Sequence, residues 1–236
     1  MQIASASRVG AICSILGVVL LVIGTYHHPM KADPNVPAAA IAEYAADTLW
    51  VASHLTQLVG VALMVVALLL FADNLKSRGG SKVAKIAAAG AITSLALAAA
   101  LQAVDGIALK AMVDAWAAAP ELQRDGIFPA VFAVRQLEIG LASMFSISMG
   151  FTATMFGIAL IAEPAYPKWF GGLAIIGGLP TGGAGIAIAY TGFSELSMAI
   201  NMPANSLLLI WMLVLGGFMW RQEAAGAVTA NPSLKP

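Results

Sequence analysis

Few side chains in this chain have the types and spacing to do chemistry. His27 and His28 are adjacent, and His54 is followed one helical turn later by Gln57. Gln102 and Asp105 stand three residues apart, as do Arg135 and Glu138, and Tyr190, Glu195, Asn201 and Asn205 follow further on. Imidazole and carboxylate together suit zinc or another divalent ion, so His27, His28 and His54 with Asp105 or Glu138 are one candidate metal site. Successive helical residues point about 100° apart, so only one of His27 and His28 would join His54. Haem held between His54 and one of these two is a second reading. General acid–base work by His54 with Asp105, or by Glu138, is a third. Each residue also has a plainer role. His54 can be a buried histidine bonded to Gln57, Asp105 or a carbonyl. His27 and His28 can be an interfacial pair in water, and Arg135 with Glu138 an ion pair that locks helices. Neither an HExxH nor a CxxC motif occurs, and the single cysteine, Cys13, reads as a small buried hydrophobe. Gly171-Gly172 and Gly182-Gly183 lie inside an apolar run rather than after a strand, which excludes a nucleotide-binding fingerprint.

The elements that must position these groups follow from composition. The 236 residues are 60% hydrophobic and 10% charged, with no formal net charge, and the mean hydropathy is +0.86. Soluble domains carry about 25% charged residues, so an ordinary soluble enzyme and a disordered chain are excluded. A nucleic-acid binder would need a basic balance. Six apolar runs are long enough to cross a bilayer at roughly 20 residues each: 9–26, 48–71, 86–104, 139–161, 169–190 and 203–220. The expected fold is all-α, a polytopic transmembrane bundle of six helices forming one domain over residues 1–221, with 222–236 as a flexible cytoplasmic tail. The first run exceeds the 7–15 residues of a signal-peptide core and reads as a retained helix.

Charge sets the expected orientation. With the N-terminus inside, the inner segments hold eight basic and three acidic residues, and the outer segments four basic and nine acidic. Excess Lys and Arg mark the cytoplasmic side, so both termini are expected there. All the candidate residues then fall in the outer third. His54 lies roughly 9 Å deep at about 1.5 Å per residue. Ionisable groups in a membrane are costly and functional by default, and their absence deeper down argues against a proton or ion path. Pro37 should open a short helix in the first outer segment, Pro120 should stop the extended third helix at Ala119, and Pro129 could open the fourth helix early. These outer pieces would cap the bundle.

Two small-residue stripes point to close packing. Gly171, Gly178, Gly185 and Gly192 recur every seven residues in the fifth helix, which also holds Pro180. Gln136, Gly140, Ser143, Ile147, Gly150, Thr154 and Gly157 line one face of the fourth. The glycine face could also serve a membrane-protein partner or a homo-oligomer.

The order of features is Arg8 before the first span, a longer outer loop, a second span from Trp50 to Asp73 with an acidic inner end, and a basic second loop. This layout resembles the uncharacterised six-span integral membrane proteins of bacteria and implies location in the bacterial cytoplasmic membrane. The functional expectation is an outward-facing polar pocket for a small ligand, a metal or a partner, formed by His54, Gln57, Gln102, Asp105, Arg135, Glu138 and Glu195. A membrane-embedded enzyme acting on a lipophilic substrate, with metal or haem, is the alternative. A structural subunit is a second.

Overall fold

The computed structural model describes residues 6–230, and residues 231–236 of the expected tail lie outside the described residues. All regular structure among the described residues is helical: α1 (Ala6–Tyr26), α2 (Pro37–Ala46), α3 (Trp50–Ala72), α4 (Arg78–Ala118), α5 (Glu121–Ala162), α6 (Lys168–Thr191) and α7 (Glu195–Ala230). All but the short α2 are long and apolar enough to cross a membrane, which suggests a multi-pass membrane protein.

Two helices outrun their apolar cores. α4 has 41 residues and α5 has 42, about 60 Å each at ~1.5 Å per residue and twice the ~30 Å of a hydrocarbon core. Both project at the same end. Pro120 separates them, as expected from its effect on the preceding residue, with Ala119 extended at ψ 146°. Pro129 does not open α5. The Gln123 N–H already reaches the Pro120 carbonyl at 2.8 Å, so the helix begins at Glu121 and runs through Pro129. Pro203 likewise lies inside α7, whose first turn is set by Ser194 Oγ accepting from the Ser197 N–H at 3.3 Å.

The six long helices close into a ring in which α1 packs on α3, α3 on α4, α4 on α5, α5 on α6, α6 on α7 and α7 on α1. The interior is filled. Met64, Phe71, Phe156, Phe170, Trp211 and Leu215 are buried in one cluster, and an apolar void of about 30 Å³ beside Val61 and Leu208 is the gap recorded within it. Its lining exposes no polar surface, so a water there would find no hydrogen-bond partner. The ring is therefore a packed bundle, in keeping with the lack of charge in its middle.

The two small-residue stripes meet each other. A methyl group on Gly178 would lie 2.8 Å from the Gly150 carbonyl oxygen and 2.7 Å from Thr154 Oγ1, and one on Gly171 would lie 2.6 Å from the Gly157 oxygen. Ser143 Oγ donates to the Gly185 carbonyl at 2.9 Å across the same seam. The α6 glycine face is thus occupied inside the chain. Gln136 is exposed and Gly140 has open space beside it, so the upper end of the α5 stripe lies off the seam. α1 and α3 form a second seam, where a methyl on Gly17 would lie 2.8 Å from the Gly60 oxygen.

At the end away from α2, Glu163 joins two helices. Its Oε2 accepts from the Ser77 N–H at 2.8 Å, at the start of α4. That bond, the largest influence on the group, holds its pKa below the ordinary carboxyl value. A depressed folded pKa stabilises the fold above the unfolded value of ~4.3 and is lost as pH falls through the folded value. Glu163→Gln is expected to cost about 1 kcal/mol at neutral pH, the scale of a helix cap. Thermal unfolding in detergent across pH should show that gap closing in acid, and a gap that persists there excludes carboxylate charge as its source.

Candidate functional site

At the projecting end, α2 and the extensions of α4 and α5 bury a small apolar cluster of Ile41, Tyr44, Trp50, Leu109, Val113 and Val131. Lys110 fastens α2 there by donating to the carbonyls of Tyr44 and Ala45, both at 3.1 Å, and to Asp114 at 2.7 Å. The polar groups lie directly beneath.

His54 is 1% exposed. Its Nδ1 lies 2.7 Å from the Trp50 carbonyl and its Nε2 3.0 Å from Asp105 Oδ2. A carbonyl can only accept, so Nδ1 carries the hydrogen. Asp105 arrives from the π-helical turn Ala103–Leu109 in α4, a local underwinding often found at functional sites. The Trp50 indole N–H anchors that turn by donating to the Asp105 carbonyl at 2.9 Å. Gly106 permits the approach, since a methyl there would lie 2.7 Å from His54 Cβ. Asp105 Oδ1 is buried with no hydrogen-bond partner among the described residues.

His28 completes the group from the α1–α2 loop. Its ring lies 4.9 Å from those of His54 and Trp50, and its Nδ1 is 2.8 Å from the Pro29 carbonyl. Burial, reinforced by the neighbouring His54, lowers its pKa. One donor atom each from His28, His54 and Asp105 lies within 4.8 Å of the others. His27, by contrast, is exposed and packs on Tyr26, because α1 ends at Tyr26 and the turn that follows sends the two histidines in different directions.

Arg135 and Glu138 form a buried ion pair, 5% and 3% exposed. The guanidinium also lies 5.2 Å over the rings of both Tyr44 and Phe193. Burial pushes the Tyr44 phenol up to about 12, with Arg135 pulling the other way. A cleft of about 380 Å³ opens beside Arg135, walled by Ile41, Phe132, Ile139 and Ile188, with Tyr190 also lining it. Asn35 ties two edges of this region by donating to the Phe193 carbonyl at 2.9 Å.

The sequence candidates therefore divide. His28, His54 and Asp105 come together, with Arg135 and Glu138 close by. Gln57 does not bond His54. Its Oε1 accepts from Gln102 Nε2 at 3.2 Å, one turn further along the same two helices. Glu195 is exposed at the start of α7, outside the cluster. Asn201 and Asn205 bond each other at 2.8 Å. Trp50, Tyr44, Phe193 and Lys110 belong to the site and were not candidates. Trp50 stands four residues before His54, a spacing that marks it as a same-face neighbour. The haem reading has no space, because the His28 and His54 rings touch and leave no slab for a porphyrin.

Fold and site together define an all-helical chain with six apolar candidate spans and a buried histidine–carboxylate–arginine cluster at one end. Comparison with protein-family models, curated proteins and solved structures finds no match to it.

Proposed function

We propose that the protein is a multi-pass integral membrane protein of the bacterial cytoplasmic membrane that binds a small ligand in the cleft beside Arg135, facing outward. The cleft carries the reading. It sets the apolar side chains of Ile41, Phe132, Ile139 and Ile188 beside one buried cation and the polar groups of Asn35, Gln136 and Thr191, a mixed lining suited to a small molecule with an apolar body and a polar head. Arg135 donates to Glu138 and makes no other hydrogen bond to a described residue, so its remaining N–H groups are available to the cleft. The charge of Arg135 is already balanced by Glu138. The ligand class is therefore a small amphiphile with an apolar body and a hydrogen-bond-accepting head, such as a carbonyl or carboxylate. The enzyme alternative would use the His54–Asp105 pair for general acid–base work, but neither residue lines this cleft.

Decanoate is a suitable probe. Its binding to the protein in nanodiscs should weaken at least about tenfold, or ~1.4 kcal/mol, in Ala189→Trp, which closes the mouth from an exposed position. Equal binding by both proteins would overturn the cleft as the site. Orientation has its own test, supported by the basic bias of the α3–α4 loop. Alkaline phosphatase fused after Pro236 should be inactive in cells, and an active fusion would place the C-terminus outside.

A further inference from the structure

The two histidines beneath the cleft are held in the way metal-ligating histidines are held. In each ring Nδ1 meets a backbone carbonyl, Trp50 for His54 and Pro29 for His28. That contact fixes the tautomer and leaves Nε2 as the ligand nitrogen, which is the usual outer-shell arrangement around a metal. His54 Nε2 then faces Asp105 Oδ2 at 3.0 Å. A neutral imidazole nitrogen and a carboxylate oxygen are both acceptors, so a positive charge has to sit between them. It is either a proton or a metal ion.

Several features favour the ion. Donor atoms around a tetrahedral ion with bonds of ~2.0–2.1 Å stand about 3.3 Å apart, close to the His54–Asp105 spacing. The whole set, within 4.8 Å, needs to contract by at most about 1.5 Å to reach that spacing and share one ion. His28 can make that movement, because it sits in a loop. A proton would satisfy Nε2 and Oδ2 but would leave Asp105 Oδ1 buried without a partner. A metal ion can take both oxygens.

We infer that His28, His54 and Asp105 form a binding site for a divalent first-row transition-metal ion. Two imidazoles and one carboxylate suit zinc or iron(II), and disfavour magnesium and calcium, which prefer oxygen ligands. Two imidazoles and a carboxylate bound through both oxygens supply four donors, and expansion to five-coordination leaves one further position for water or a ligand. Trp50 and Gly106 are positioning residues. Trp50 supplies a carbonyl to His54 and an N–H to the Asp105 backbone, and Gly106 lets the two helices close.

The test uses the full chain in detergent, stripped with a chelator and titrated with cobalt(II) as a spectroscopic stand-in for zinc. One ion per chain should bind, giving visible ligand-field absorption that zinc abolishes and magnesium does not. His28→Ala should weaken binding by at least the roughly 100-fold that marks the upper range for outer-shell changes. His28 is only half-buried in a loop, so this variant keeps the fold testable if His54→Ala or Asp105→Asn fails to fold. His27→Ala, one residue away and exposed, should bind as the wild type does. An absent spectrum, or equal affinity in His28→Ala and wild type, overturns the site. So does nitrogen-15 NMR showing both His54 ring nitrogens protonated in protein exposed to saturating zinc. Decanoate binding is read separately, so either site can fail alone.

Discussion

Arg135→Met should destabilise the protein by about 3–5 kcal/mol, the cost of removing one partner from a buried ion pair. Glu138 is 3% exposed and would be left without its cation. It also lies within electrostatic reach of Asp105, a second carboxyl of the same sign. The reverse change should cost less. In Glu138→Gln the guanidinium keeps its places over Tyr44 and Phe193, each 5.2 Å from the ring, and cation–π contacts of this kind are worth about 0.5–2 kcal/mol. The paired variant Arg135→Met/Glu138→Leu removes both charges and should recover to within about 1 kcal/mol of wild type, as apolar replacements of whole buried pairs often do. Unfolding of all three in one detergent reads the order directly. Equal losses in Arg135→Met and Glu138→Gln, or no recovery in the pair, would mean that packing rather than uncompensated charge sets the cost. The same comparison separates stability from function, because the stable double variant should still lose decanoate binding.

The parts of this architecture that can be read from residues alone are those with one-dimensional signatures. Apolar length is one, so all six long helices are visible as runs. Helix ends are less visible, because hydropathy falls where charges appear although the helix continues. Lys110 and Asp114 interrupt the apolar run of α4, yet they are the groups that fasten α2 across it. The same holds for Arg135 and Glu138 in α5, whose charges hide from hydropathy because they neutralise each other. Spacing also works where two helices run antiparallel. A step of three from Gln102 to Asp105 on α4 is matched by a step of three back from Gln57 to His54 on α3, and both pairs form. What spacing cannot show is the π-helical turn at Ala103–Leu109, which has no local marker and arises where Asp105 is drawn to Trp50 and His54. Nor can it choose between His27 and His28. That choice depends on where α1 ends, at Tyr26, and so on the loop that carries His28 over Trp50.

The α5–α6 seam should be the most sensitive part of the fold to single methyl groups. Gly150→Ala and Gly178→Ala each place a Cβ against backbone of the facing helix. The distance to a carbonyl oxygen is 2.6 Å from Gly150 and 2.8 Å from Gly178. Backbone cannot rotate away as a side chain can, so the two helices must separate. Without a hydrophobic drive between helices in lipid, that separation removes the close packing that holds them together. The expected loss is about 3 kcal/mol, at the upper end for overpacking. Gly172→Ala and Gly183→Ala are the matched controls, with open space at both positions. They should be neutral or stabilising, since alanine is favoured over glycine in a helix by up to about 1 kcal/mol. If all four variants melt alike, the seam is not what holds α6 in place. The effect should extend to the cleft, because Ile188 and Tyr190 continue from the seam at the end of α6 and line it. Ser143 still ties Gly185 across the helices nearby, so in Gly178→Ala the seam should open below that bond first. Decanoate affinity should then fall less than stability, whereas Gly185→Ala, which strikes the Ser143 carbonyl oxygen at 2.8 Å, should reduce both together.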